Sequence, residues 1–182
     1  MKIMIASDIH GSGYFCEKLI ERFKEEKADK LVLLGDLLYH GPRNELPKDY
    51  DTKKVYELLN NVKDKILAVR GNCDSEVDQM VLEFPMMADY AWVDADGVSV
   101  FVTHGHLFSE ENPPLLKKGD ILLYGHFHVP ASNEHDNFIH INPGSVSLPK
   151  EKSLNSYLIL ENKKFTWKDV ENAKAFKEYD IK

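Results

Sequence analysis

Five short apolar runs, KIMIA, KLVLL, KILAV, VSVFV and DILLY, each stop at a polar cluster, and this pattern constrains the fold more than any other feature of the chain. The clusters are Ser7-Asp8-Ile9-His10, Gly35-Asp36, Gly71-Asn72-Cys73-Asp74, Thr103-His104-Gly105-His106 and Gly125-His126-Phe127-His128. Short apolar runs bounded by such residues read as strands, so five strand ends deliver Asp, His and Asn side chains.

The first half alternates strand and helix. A strand over 2–7 leads to a helix over 13–27, where Phe15, Leu19, Ile20 and Phe23 recur at helical spacing. A strand over 30–34 leads to a Gly-, Pro- and Asn-bearing loop over 38–51, then to a helix over 53–61 with Val55, Leu58, Leu59 and Val62 on one face. A strand over 65–69 and a short helix over 75–82 complete a βαβαβα rhythm, which predicts parallel strands with right-handed crossovers. In the second half, strands over 89–94 and 98–103 flank Ala95-Asp96-Gly97, a hairpin signal. Further strands are expected over 120–124, 131–135, 138–141, 155–160 and 164–170, with a turn at Asn142-Pro143-Gly144 and another over 161–164. The polar tail over 172–182 reads as weakly helical. No linker or repeat interrupts the chain, and the polar clusters fall in both halves. The expectation is therefore one α/β domain over 1–182 with two facing sheets.

The spacing of the clusters carries chemistry. Asp8 and His10 stand two apart, so at a strand end both can face one side, and His126 and His128 repeat that spacing. Asp36 follows an apolar run, where a buried carboxylate is costly unless paired or metal-bound. Its two oxygens can bridge two cations. Asn72 adds a neutral oxygen and His104 a nitrogen. The set sorts into two four-ligand groups, Asp8, His10, Asp36 and His128 in one, Asp36, Asn72, His104 and His126 in the other. Two divalent ions bring four positive charges and the aspartates remove two, leaving a balance that suits a bridging hydroxide and a singly charged phosphodiester. Such a pair, about 3.5–4 Å apart, acidifies water and clamps both oxygens of an in-line displacement. Nitrogen and oxygen donors without thiolate fit Mn²⁺, Zn²⁺, Fe²⁺, Co²⁺ or Ni²⁺.

Composition narrows the partners. A net charge of −7, from 30 acidic and 23 basic residues, argues against an extended basic surface for nucleic acid. No run is long enough to span a membrane, and the opening residues read as a strand rather than a signal peptide. The two cysteines, Cys16 and Cys73, form no CxxC pair, which fits a cytoplasmic protein with reduced thiols, Cys16 being a small apolar helix residue.

These clusters, with LLYHGPRN over 37–44, VRGNCDSEVDQM over 69–80, THGHLF over 103–108 and INPGSVSLPK over 141–150, resemble the calcineurin-like metallophosphoesterases, and within them the small YfcE-type phosphodiesterases. The resemblance covers nearly the whole chain. It implies a four-layer αββα sandwich of two mixed sheets flanked by helices, with a dinuclear metal centre at the strand ends and manganese the first metal to test. It implies metal-dependent hydrolysis of small phosphodiesters by a metal-held hydroxide. Asp8, His10, Asp36, Asn72, His104, His126 and His128 would be the metal-binding and catalytic set. It also makes a homo-oligomer plausible.

One position departs from the wider superfamily, many members of which carry a histidine, held to protonate the leaving group, where this chain has Cys73. A thiol is a poor general acid for an alkoxide, so diesters with good leaving groups are expected to react best. His106 either compensates or is a histidine outside the reaction. Arg43 and Asn44 either contact the substrate phosphate, as Arg is suited to do, or pin their loop through an ion pair. Phe127 either lies beside the substrate or covers the metals. Cys73 could also be a soft metal contact. Asn142, Pro143, Gly144 and Ser145 are expected to shape a turn behind the site. The rival functions are a monoesterase or nucleotide phosphatase of the same fold, and a non-catalytic protein-binding scaffold such as the retromer subunit of this fold.

Overall fold

The computed structural model describes residues 1–181. Its first sheet is built around β1 (Ile3–Ala6), which pairs in parallel with β2 (Lys30–Leu33) and antiparallel with β9 (Ser156–Glu161). The full order is β11-β10-β9-β1-β2-β3, with β3 at Ile66–Ala68, β10 at Lys164–Asp169 and β11 at Ala175–Asp180. The second sheet runs β4-β5-β6-β8-β7, made of Tyr90–Ala95, Val98–Thr103, Asp120–Leu123, Phe138–Pro143 and Pro130–Glu134 respectively. Parallel β1, β2 and β3 are the expected product of the βαβαβα rhythm.

Side-chain alternation decides what each face meets. On the first sheet Ile3, Ile5, Val32, Leu158, Leu160, Phe165 and Trp167 point to the second sheet, where Val98, Val100, Val102, Ile121, Leu123 and Ile141 receive them. Met4, Ala6, Leu31, Leu33, Tyr157 and Ile159 point the other way, under the helices. Strands buried on both faces read as unbroken apolar runs, as those of the sequence do. Helix α1 (Gly13–Glu26) covers this face with Phe15, Cys16, Leu19, Ile20 and Phe23. Ser12 caps its start by accepting from Phe15 N, and left-handed Lys27 ends it. Helix α2 (Thr52–Asn60) adds Val55 and Leu59, capped by Asp51, and α3 (Glu76–Gln79) is one turn with Ser75 and Asp78 capping each other. On the far side Phe101, Leu122, Tyr124 and Phe138 form a third cluster, covered by Phe108 and Leu116. The segment that supplies Phe108 and Leu116, between β5 and β6, holds no helix, so the fourth layer is irregular chain.

The tail differs from the sequence reading. Instead of a weak helix, Ala175–Asp180 is the edge strand β11, paired with β10 from Lys164↔Asp180 to Lys168↔Ala175. Its composition of Ala, Lys and Glu suits a helix, but hairpin closure outweighs that preference. Asp169 organises the turn, accepting from Glu171 N and Asn172 Nδ2, and Lys177 lies over the Trp167 ring at 5.2 Å. Lys182 lies outside the described residues.

Candidate metal centre

All seven sequence-predicted donors lie at strand ends on one edge of the sandwich, but strand alternation is not what turns them inward. Strand β1 stops at Ala6, and Asp8 and His10 both stand in left-handed backbone, with φ of 59° and 50°. Asp36 (φ 54°), His126 (φ 61°) and His128 (φ 62°) do the same. A non-glycine residue there costs on the order of 1 kcal/mol or more, so five such residues in one site mark a backbone held by its surroundings. The loops brace one another: Asp8 N donates to Gly35 O at 3.1 Å, His10 N to Asp36 O at 2.9 Å and Gly125 N to His104 O at 2.9 Å. Ser145 and Ser147 hydroxyls both donate to Asp8 O, at 2.9 and 3.1 Å, so the segment after β8 packs behind the site, but Asn142 and Pro143, expected in a turn, end strand β8 instead because they pair with Ala131 and Pro130. Two glycines permit the close approach. A Cβ on Gly71 would sit 2.1 Å from Asp36 Oδ1, and one on Gly125 would sit 1.9 Å from Ser7 Oγ.

Three histidines are oriented the same way. Nδ1 of His10 donates to Tyr39 O (2.8 Å), of His104 to Leu34 O (2.6 Å) and of His128 to Leu148 O (2.6 Å). Anchoring the Nδ1–H on a carbonyl fixes the ring and aims Nε2 into the site. There, His10 Nε2 and His128 Nε2 lie 3.3 Å apart, with Asp8 Oδ1 at 3.5 and 3.2 Å from them. His104 Nε2 lies 3.1 Å from Asn72 Oδ1 and 3.2 Å from His126 Nδ1. Asp36 Oδ2 faces both groups, 3.7 Å from His10 Nε2 and 3.4 Å from His104 Nε2. Its other oxygen is occupied, accepting from Cys73 N at 2.8 Å, so a single oxygen is the shared one.

These spacings fit a pair of cations. Donors held about 2.1 Å from one ion lie roughly 3.0–3.4 Å from each other in octahedral or tetrahedral arrangements. The donor separations of 3.1–3.7 Å are close to that. Asp8 Oδ1 is buried and makes no hydrogen bond, a costly state that a bound cation relieves. Burial would raise the Asp8 carboxyl, yet His10, His128 and His104 hold it well below the usual carboxylate range. Burial likewise disfavours charge on His104, but Asp36 and Asp8 outweigh it and lift its pKa to about 9. His126 goes the other way, to about 4, through burial and the neighbouring His104. Two charged carboxylates thus draw positive charge to the place where the donors converge.

A cavity of about 310 Å³ opens over this cluster, lined by His10, Asp36, Asn72, His126 and His128 and by Arg43, Asn44, Cys73 and Lys150. Arg43 has no ion-pair partner among the described residues; its loop is held instead by Asp49, paired with Lys54 at 3.2 Å, and by Asn44 Nδ2, which donates to His40 O at 2.8 Å. The Cys73 sulfur stands near His10 and Asp36, and without a bound cation burial and the Asp36 carboxylate push the thiol up to about 12. His106 does not line the cavity; its ring sits 5.4 Å from His104, and its Nδ1 is buried without a partner. Phe127 is 52% exposed and faces a separate cavity with Tyr124 and Val129. Two residues escaped the sequence reading. Asp74 is buried and accepts from Asp36 N, Leu37 N and Gly71 N at 2.7–2.9 Å, tying the loops after β2 and β3 together. Its place at the end of the Gly-Asn-Cys-Asp cluster was the available signal. Lys150 carried no signal beyond its place at the end of INPGSVSLPK.

Residues 1–164 match the profile of the calcineurin-like phosphoesterase superfamily domain. Phosphodiesterase YfcE of Escherichia coli is 52% identical over 162 residues, which cover 89% of this chain and 88% of that protein. The solved structure of YfcE, described as a phosphoesterase from E. coli, superposes with a TM-score of 0.97 at 47% identity over 100% of both chains. Wild-type Vps29 from Entamoeba histolytica is similar in fold, with a TM-score of 0.64 at 16% identity over 100% of both chains.

Proposed function

Since the chain belongs to the calcineurin-like phosphoesterase superfamily, we propose that it is an enzyme that hydrolyses small phosphodiesters with the help of two divalent cations. The observation that carries this reading is the shared Asp36 Oδ2, which faces two groups of converging donors, with Asp8, His10, Asp36, His104 and His128 buried. Asp8, His10, Asp36 and His128 would hold one cation, and Asp36, Asn72, His104 and His126 the other. Manganese is the first to test, and Zn²⁺, Fe²⁺, Co²⁺ and Ni²⁺ suit the same donors. The bound pair supplies an acidified water and positive charge for the phosphate oxygens.

The chain's own residues do the rest. Carbonyl-anchored imidazoles keep their donor atoms fixed, so little reorganisation is needed during reaction. Arg43, unpaired at the cavity wall, offers a planar fork for the substrate phosphate. Cys73 carries a thiol, a poor general acid that gives the departing alkoxide little proton help. Water adds and an alcohol leaves, giving a phosphomonoester.

Two rivals fare less well. A monoesterase would depend more on leaving-group protonation, which Cys73 does not provide. A scaffold has no use for five strained residues converging on one buried cluster. Among the described residues no helix is long and apolar enough to cross a membrane. We propose a cytoplasmic location, on the reduced state expected of Cys16 and Cys73, and a homo-oligomer, on the family resemblance.

The test is a metal-supplemented screen of the chelator-stripped protein against aryl and alkyl phosphodiesters and the matching monoesters. Aryl diesters should turn over fastest, by at least about 10²-fold over alkyl diesters. Faster hydrolysis of the monoesters would overturn the diesterase reading.

A further inference from the structure

Lys150 has no place in the donor set, yet it forms part of the cavity wall. Its backbone is tied to the site: Lys150 N donates to His128 O at 3.1 Å, and Lys150 O accepts from Ser153 N at 3.0 Å and Ser153 Oγ at 2.6 Å. Left-handed Glu151 (φ 53°) and Lys152 (φ 60°) then turn the chain away, so the Lys150 backbone holds a fixed position beside a proposed ligand. The side chain itself is exposed and has no ion-pair partner among the described residues. Asp36 is the one acidic side chain lining the cavity, and it faces the donor cluster. A protein of net charge −7 thus places two cations without ion-pair partners, Arg43 and Lys150, on the wall of the cavity over the donor cluster. One cation suffices for a singly charged phosphodiester whose charge the metal pair also meets. The second has no anion to meet unless the substrate brings one.

We propose that Lys150 is a specificity-determining residue that recognises a second anionic group, a carboxylate or a phosphoryl group, on the arm of the phosphodiester that stays with phosphorus. This rests on the diesterase reading and narrows its substrate class to diesters carrying two separate negative charges. An exposed ammonium at a cavity rim is worth up to about five-fold in affinity per charge met, and the potential of a cleft adds to capture of the anion.

The test uses the full chain loaded with Mn²⁺ and three nitrophenyl phosphodiesters that share a leaving group, the other arm being propyl, carboxyethyl or phosphonoethyl. Wild type should favour both anionic arms over propyl by about three-fold or more in kcat/KM, expressed in KM. Lys150→Gln should bring the ratio to about one, Lys150→Arg should keep it, and Lys150→Glu should reverse it. Calorimetric binding of carboxyethylphosphonate against propylphosphonate should follow the same order, and it reads recognition without turnover. A wild-type ratio of one, an unchanged ratio in Lys150→Gln, or loss of the preference in Arg43→Gln alone would overturn the assignment to Lys150. Failure of every diester to react, the propyl ester included, would instead count against the diesterase reading, and the phosphonate affinities would still decide the role of Lys150.

Discussion

Asp36 and Asn72 both sit just past a strand, but they are not equal in this site. Asp36 Oδ2 lies within 3.7 Å of His10 Nε2 and 3.4 Å of His104 Nε2, whereas Asn72 Oδ1 reaches only the His104 side, at 3.1 Å. Asp36→Asn removes the shared donor's charge from both groups, while Asn72→Ala removes a neutral donor from one. Loss of an outer-shell partner alone costs about 10–100-fold in metal affinity or activity, and the shared ligand should exceed that range. We expect Asp36→Asn to lose both metals and Asn72→Ala to lose one, by elemental analysis of metal per chain beside the rate. Two retained metals with a normal rate in Asp36→Asn would refute the shared role. At this scale the convergence of these seven side chains was legible in the sequence, because Asp, Asn and His after apolar runs have few cheap alternatives. Their left-handed conformations were not, since no residue type at Asp8, His10, Asp36, His126 or His128 announces a positive φ. That only Oδ2 of Asp36 is left facing both groups was equally hidden, because the amide that occupies Asp36 Oδ1 comes from Cys73, 37 residues away.

Elements are joined away from the site by a second cluster of charge. Glu26, the last residue of α1, accepts from Lys2 Nζ before β1 (3.0 Å), from Tyr157 OH on β9 (3.1 Å) and from Lys168 Nζ on β10. Burial alone would raise its carboxyl, but Lys168, Lys2 and Tyr157 outweigh burial and hold it below the usual range. A lowered folded value means stability that is present above the ordinary Glu pKa of about 4.3 and is lost as pH falls through the folded value. Glu26→Gln should therefore cost roughly 1 kcal/mol at pH 7. That difference should shrink toward zero as pH falls through the lowered folded value, below which wild type also carries a neutral side chain. Urea unfolding of both proteins across pH 3 to 7 measures it, and a pH-independent difference would mean the packing of Glu26 matters and its charge does not. Element type was largely legible from periodicity, as α1 and the paired β1, β2 and β3 show. The edge strand β11 was not, because its exposed residues carry no alternation and only pairing with β10 defines it.

Over the whole molecule, two sheets with opposite-facing apolar sets place five strand ends along one edge, and the polar clusters meet there. The two-sheet arrangement followed from strand rhythm and from the family resemblance. The irregular covering of the second sheet did not, since Phe108 and Leu116 gain their packing role only once Phe101, Leu122, Tyr124 and Phe138 share a face. We propose that this edge works only when loaded with divalent cations, because no side chain there is a nucleophile paired with an activating base. The most direct measurement is turnover of an aryl phosphodiester by protein stripped with chelator and verified metal-free, then titrated with Mn²⁺. We expect no turnover at first, then activity that rises with Mn²⁺ and levels as two equivalents per chain bind. Full activity in the verified metal-free protein would contradict it.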